Sequence, residues 1–169
     1  EDDIRLTRRI VHNQIMDGLV LISPTLEHPL ISELIRADIT FISADRIPQD
    51  SEQVSFVTVE NVESSRTAVN HLIELGRRKI VVLAGSPLII DTHDRVEGYK
   101  LALDDAKIPY DPDLVIIDEY GYDSGYNGIQ QLLQNNIEFD GVYASQSTIA
   151  LGAVNALLDA GIRLPEDVS

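Results

Sequence analysis

The chain has no cysteine among its 169 residues. That excludes disulfides, thiolate metal sites and a cysteine nucleophile in one step. Basic residues are scarce: 13 Lys and Arg stand against 28 Asp and Glu, for a formal net charge of -15. A surface this acidic repels phosphate backbones, so the segment is not expected to grip nucleic acid by itself. Long apolar runs are also missing, and no stretch approaches the length of a membrane span. The opening Glu1-Asp2-Asp3 lacks the basic start of a secretory signal peptide. With the absence of cysteine, a cytoplasmic location is the expectation.

A hydrophobic content of 44% is that of a folded globular chain, and the length suits one domain or two small lobes. Short runs rich in Val and Ile alternate with helical patterns, which predicts βαβ units and a parallel sheet. Strands are expected at Leu19–Ile22, Thr40–Ile42, Val54–Val59, Ile80–Ala84, Leu114–Ile117 and Gly141–Ala144. Helices are expected over 4–15, from Pro29, over Asn61–Leu75, and at about 93–106, 123–135 and 148–160. Gly76 should close the third of these as a C-cap, with Arg77, Arg78 and Lys79 beside its negative end. Residues 161–169 head into a further strand that does not arrive, so the fold is expected to be incomplete.

The most informative stretch is Val81-Val82-Leu83-Ala84-Gly85 followed, after a loop, by Arg95-Val96-Glu97-Gly98-Tyr99. An apolar strand ends in Gly, and the next helix carries an Arg three residues before a Gly. In open α/β folds the carboxyl edge of the sheet is where ligand-recognising groups gather. With the flanks His71–Ile80 and Ala150-Leu151-Gly152-Ala153, the chain resembles the effector-binding core of the LacI/GalR family of bacterial transcription regulators. The resemblance runs over nearly the whole chain. It implies a two-lobed, periplasmic-binding-protein-like α/β fold with parallel sheets flanked by helices, incomplete at both ends. Residues 1–59 would form part of the N-terminal lobe and 60–169 part of the C-terminal lobe.

The resemblance also nominates ligand-binding residues. Asp45, in Ile39–Arg46, stands where the family commonly reads I-P-V-V-L-I-D-R, whose Asp faces the effector cleft; without the resemblance, a plain loop acid at a strand end is the preferred reading. Val59-Glu60-Asn61 is similar to the family's V-D-N element, with Val59 supplying an apolar wall and Asn61 capping the following helix. Arg95 matches R-x-x-G-[FYW], whose guanidinium forks onto adjacent ligand oxygens, a geometry Lys does not reproduce; the plain alternative is a solvated charge. Asp91, placed in the preceding loop, either touches ligand or pairs with Arg95. Tyr120 follows a strand where members carry an aromatic that packs on the sugar ring, with Tyr122 the runner-up. Gln146 replaces the Asn of A-N-D-x-x-A-L-G-A and keeps an amide, whereas Ser147 replaces its Asp and reads as a helix cap.

No G-x-S-x-G, H-E-x-x-H, P-loop or dinucleotide fingerprint occurs, and no metal or cofactor site is expected. His93 has no metal-type partner at helical spacing and is expected to be merely exposed. The function implied by the resemblance is a small-molecule sensor, taking a sugar or related polyol. A helix-turn-helix domain outside this chain would bind operator DNA as a homodimer. The competing readings are a periplasmic sugar-binding protein of a transporter and a sugar-processing enzyme; for the latter no nucleophile–base set is visible.

Overall fold

In a computed structural model of the chain, the structure describes residues 17–22, 29–45 and 52–169. The chain divides into two compact units, Glu1–Val59 and Glu60–Ser169. The helix expected over 4–15 lies outside the described residues.

The first unit contains β1 (Leu19–Ile22), α1 (Pro29–Arg36), β2 (Phe41–Ala44) and β3 (Ser55–Val57). The strands form a parallel sheet in the order β1-β2-β3. Pro29 opens α1, where a missing amide proton costs nothing and its fixed φ suits the helix. Leu30, Ile31 and Leu34 are buried on one face of that helix. The strand expected at Thr40–Ile42 runs instead from Phe41 to Ala44, and the one expected over Val54–Val59 contracts to Ser55–Val57. Pairing sets these limits: Ile42, Ser43 and Ala44 face Ser55, Phe56 and Val57.

The second unit contains α2 (Asn61–Glu74), β4 (Ile80–Ala84), α3 (Ile90–Asp105), a 3-10 turn (Pro112–Leu114), β5 (Val115–Ile117), α4 (Tyr122–Gln134), β6 (Gly141–Ala144) and α5 (Ser147–Asp159). Its parallel sheet has the order β5-β4-β6. The α/β class with parallel sheets and flanking helices is thus the observed one. Every residue of β4 is buried, because helices cover both faces. Ile80, Val82 and Ala84 pack with Val69, Val96, Tyr99 and Leu103 on the side of α2 and α3. Val81 and Leu83 pack with Ile129, Leu132, Ile149 and Ala153 on the side of α4 and α5. That division explains an uninterrupted apolar strand.

Helices α2 and α3 approach closely at Gly98. A Cβ there would lie 2.2 Å from the Val62 carbonyl oxygen and 2.8 Å from the Ser65 Cβ. The far end of α3 is tied back by Arg66, whose Nε donates to Asp105 at 2.7 Å. Helix α2 ends as expected. The amides of Gly76 and Arg77 bond the carbonyls of Ile73 and Leu72, and the Arg78 guanidinium donates to the Ile73 carbonyl at 2.8 Å.

The expected strand lead-in at the end of the chain is present. Ser169 donates its amide to the Asp140 carbonyl at 3.2 Å and accepts the Val142 amide at 2.7 Å, a parallel bridge beside β6. Arg77 holds this segment through the Ser169 hydroxyl and the carbonyls of Asp167 and Pro165. Asp140 ties the entries of β4 and β6 together: its carboxylate accepts the amides of Arg78 and Lys79, each at 2.9 Å. Hydrogen bonds to a charged acceptor are worth about 1.5–3 kcal/mol, so Asp140→Ala should lower unfolding stability by about 2 kcal/mol, read by urea denaturation.

Candidate functional site

The second unit brings polar groups together at the carboxyl edge of its sheet. From β4 the chain passes through α3 to β5 on one side, and from β5 through α4 to β6 on the other side of β4. Such a reversal leaves a crevice beyond the strand ends, the usual ligand position in open α/β sheets. The groups that follow the three strands here are Gly85-Ser86, Asp118-Glu119-Tyr120 and Ser145-Gln146.

Arg95 lies in the second turn of α3 and is half-buried. Its Nε donates to Asn61 Oδ1 at 2.9 Å, and Nη1 donates to the Ser145 carbonyl at 2.6 Å. The solvated-charge alternative therefore fails for this side chain. Among the described residues Nη2 has no acceptor, so its N–H groups are available to another molecule. The contact at Gly98, one turn further along α3, brings the start of α2 within reach of the guanidinium.

Several expectations about helix starts are corrected. Asn61 does not cap α2: Glu60 occupies the cap position without a side-chain cap bond, and the Asn61 amide bridges to Arg95 instead. Asp91 is not in a loop but in the first turn of α3, half-buried. The helix begins early because a Ser86–Ile89 turn leads into it, and an acid suits the positive end of the helix. Ser147 is the first residue of α5 and Gln146 its cap residue, again without a side-chain cap bond. The Gln146 Oε1 instead accepts the Thr148 hydroxyl.

Tyr120 is half-buried, and its ring lies across Gly85, where a Cβ would come within 2.1 Å of the ring. Its hydroxyl shares a 2.8 Å hydrogen bond with Thr92 Oγ1, on the first turn of α3. Tyr122 stacks on Tyr126 and accepts a bond from Asn155, so it belongs to the seam between α4 and α5. Of the two tyrosines, Tyr120 is the one anchored to the helix that carries Arg95. Ser86 donates to Glu119 Oε1 at 3.2 Å, linking the ends of β4 and β5. Ser145 Oγ is buried with no partner among the described residues. Tyr99 is core; its hydroxyl donates to the Ile80 carbonyl at 2.9 Å, and burial pushes its phenol above the usual range. His93 is exposed, as expected, and bonds the Pro87 carbonyl.

Asp45 and Val59 belong to the first unit. Asp45 follows β2 with φ at +81°, a left-handed conformation that few non-glycine residues adopt and in which Asp is enriched. Its amide donates to the Val57 carbonyl at 2.9 Å, and its carbonyl accepts the Thr58 hydroxyl at 3.0 Å. The exposed side chain is thereby held at the strand end. Val59 is 58% exposed. Sequence reasoning overlooked Thr92 and Ser86. The spacing of Thr92 three residues before Arg95, on one helix face, was the available signal.

Among the described residues no group of three or more His, Asp or Glu could hold a metal ion. No described helix is long and apolar enough to cross a membrane. Two substitutions test the packing of this edge. Gly85→Val should displace the Tyr120 ring and cost about 1–3 kcal/mol of stability by overpacking. Ser145→Ala removes an orphaned hydroxyl and should raise stability by about 1 kcal/mol. Urea unfolding reads both, with opposite signs.

The sequence and the fold have counterparts among known proteins. A family model described as a periplasmic binding protein domain matches residues 13–167. The HTH-type transcriptional regulator CelR of Thermobifida fusca is 35% identical over 159 residues, which take in 92% of this chain and 46% of CelR. A solved structure described as a transcriptional regulator CelR–cellobiose complex superposes with a TM-score of 0.85 at 34% identity, covering 98% of this chain and 50% of that one. A sugar-binding regulator of the LacI family from Escherichia coli, complexed with phosphate, superposes with a TM-score of 0.80 at 26% identity, covering 99% of this chain and 60% of that one. The chain spans about half the length of the curated relatives it matches. With a family match over nearly its full length, the chain belongs to the periplasmic binding protein domain family, and the proteins it is similar to are transcriptional regulators, one of them described as of the LacI family.

Proposed function

We propose that this chain is the sugar-sensing part of a bacterial transcriptional regulator, with Arg95 as its principal ligand-binding group. The observation that carries the reading is the state of that guanidinium. Two neutral acceptors of its own unit hold it at the carboxyl edge of the sheet, while Nη2 has no acceptor among the described residues. A fixed planar donor pair suits vicinal hydroxyls or a carboxylate. The charge of -15 disfavours an anionic ligand at long range, so a neutral sugar is the better fit. The similarity to the structure of the CelR–cellobiose complex supports a glucose disaccharide as the first candidate.

Asp45 is proposed as an acceptor for ligand hydroxyls, its backbone held in an uncommon conformation of the kind that clusters at ligand sites. Asp91, Tyr120 and Gln146 are proposed as further contacts, and Val59 as an apolar wall. No cofactor or metal enters this scheme, and the sugar is bound without being turned over. By likeness to the regulators, operator binding would belong to a separate helix-turn-helix domain in a cytoplasmic homodimer, and the net charge of -15 disfavours a phosphate backbone on this chain itself. Ligand would shift operator affinity only to the extent that it binds the two regulatory states with different strength.

Calorimetry of the full-length protein with cellobiose tests the reading. Binding is expected in the wild type, and Arg95→Ala should weaken it by about tenfold or more, from the loss of charged hydrogen bonds worth about 1.5–3 kcal/mol. Absence of binding to cellobiose and to a panel of other neutral sugars overturns the sugar-sensing reading. Undiminished affinity in Arg95→Ala removes Arg95 from the site.

A further inference from the structure

We propose that Asn61 is the positioning residue of the ligand site, setting the plane in which Arg95 presents its remaining donors. The inference rests on the reading of Arg95 as a ligand-binding group and gives α2 a part in recognition that its sequence does not announce.

Asn61 is 7% exposed and stands at the start of α2, where its side chain does no capping. Its Oδ1 accepts the Arg95 Nε at 2.9 Å across the α2–α3 contact. One hydrogen bond leaves a guanidinium free to swing about that bond. Two bonds from different nitrogens define its plane, and the second runs from Nη1 to the Ser145 carbonyl at 2.6 Å. A main-chain carbonyl at the end of a strand cannot be altered by substitution, so Asn61 is the part of this clamp that its residue type decides. Both acceptors are neutral, so they orient the guanidinium without neutralising it. The contact at Gly98 keeps the two helices close enough for the short Asn side chain to span the gap, with the Val62 carbonyl where a Cβ would otherwise stand.

A carboxamide and a carboxylate of the same shape both accept from Nε, whereas a methyl group does not. Asn61→Ala in the full-length protein should therefore weaken cellobiose binding by about fivefold or more, and Asn61→Asp should restore it to within about threefold of the wild type. In an Arg95→Lys background, which has no Nε–H to hold, Asn61→Ala should have little further effect. A merely structural Asn61 would show similar losses in both backgrounds and no rescue by Asp. A second readout does not depend on the sugar. NMR of isotope-labelled arginine should show a slowly exchanging Nε–H for Arg95, identified by its loss in Arg95→Lys, that exchanges fast in Asn61→Ala and slowly in Asn61→Asp. If cellobiose binds and Arg95→Lys weakens it, but Asn61→Ala changes neither affinity nor exchange, the positioning role is overturned and the ligand reading stands. If neither cellobiose nor the sugar panel binds, the ligand reading fails, and the exchange of the Nε–H still decides whether Asn61 holds the guanidinium.

Discussion

The second unit is organised by the place where α2 and α3 touch. At Gly98 the backbone of one helix lies where the other would carry its first side-chain carbon. Dense interiors transmit such contacts, because packed side chains and backbone have little room to yield. The close approach brings Asn61 to Arg95 at one end of the helix pair, while Arg66 ties back to Asp105 from the α2 side of the same interface. The same helix pair covers one face of β4, where Ile80, Val82 and Ala84 pack with Val69 and Tyr99. The placement of Arg95 at the sheet edge is thus built on helix packing behind it.

A second constraint is electrostatic. The chain carries more than two acids for every base. Several of its basic groups are committed to internal partners: Arg66 to Asp105, Lys79 to Glu138, Arg163 to Asp167, and Arg77 to the segment ending at Ser169. The Arg163 guanidinium beside Asp167 holds that carboxyl down to about 2, so this pair remains ionised through any physiological range. Arg95, unlike the three paired with carboxylates, is held by an amide and a carbonyl. An oriented cation in an otherwise acidic chain suits a neutral, oxygen-rich ligand better than a phosphate backbone.

Much of the fold was legible in particular residues. The apolar Ile80–Ala84 run announced a strand, and Gly76 announced the end of α2. Legibility failed at helix starts. Asn61 and Ser147, read as caps, and Asp91, read as a loop residue, all stand within two residues of one. Asn and Ser are good caps in isolation, yet here Glu60 and Gln146 occupy the cap positions. Propensity describes how a residue satisfies its own backbone. It does not see an acceptor or donor arriving from an element thirty residues away.

Composition, apolar periodicity and punctuation by Gly and Pro were sufficient by themselves to determine the α/β class, the order of the elements and the buried strand, because each depends on neighbours within a turn or a few residues. The partners of Arg95, the seating of Tyr120 on Gly85 rather than beside Tyr122, and the conversion of Asn61 from a cap to a clamp were decided only by the tertiary structure. Those features depend on hydrogen bonds of fixed length and direction between distant segments, and such bonds exist only once packing has set the distances between the elements that make them.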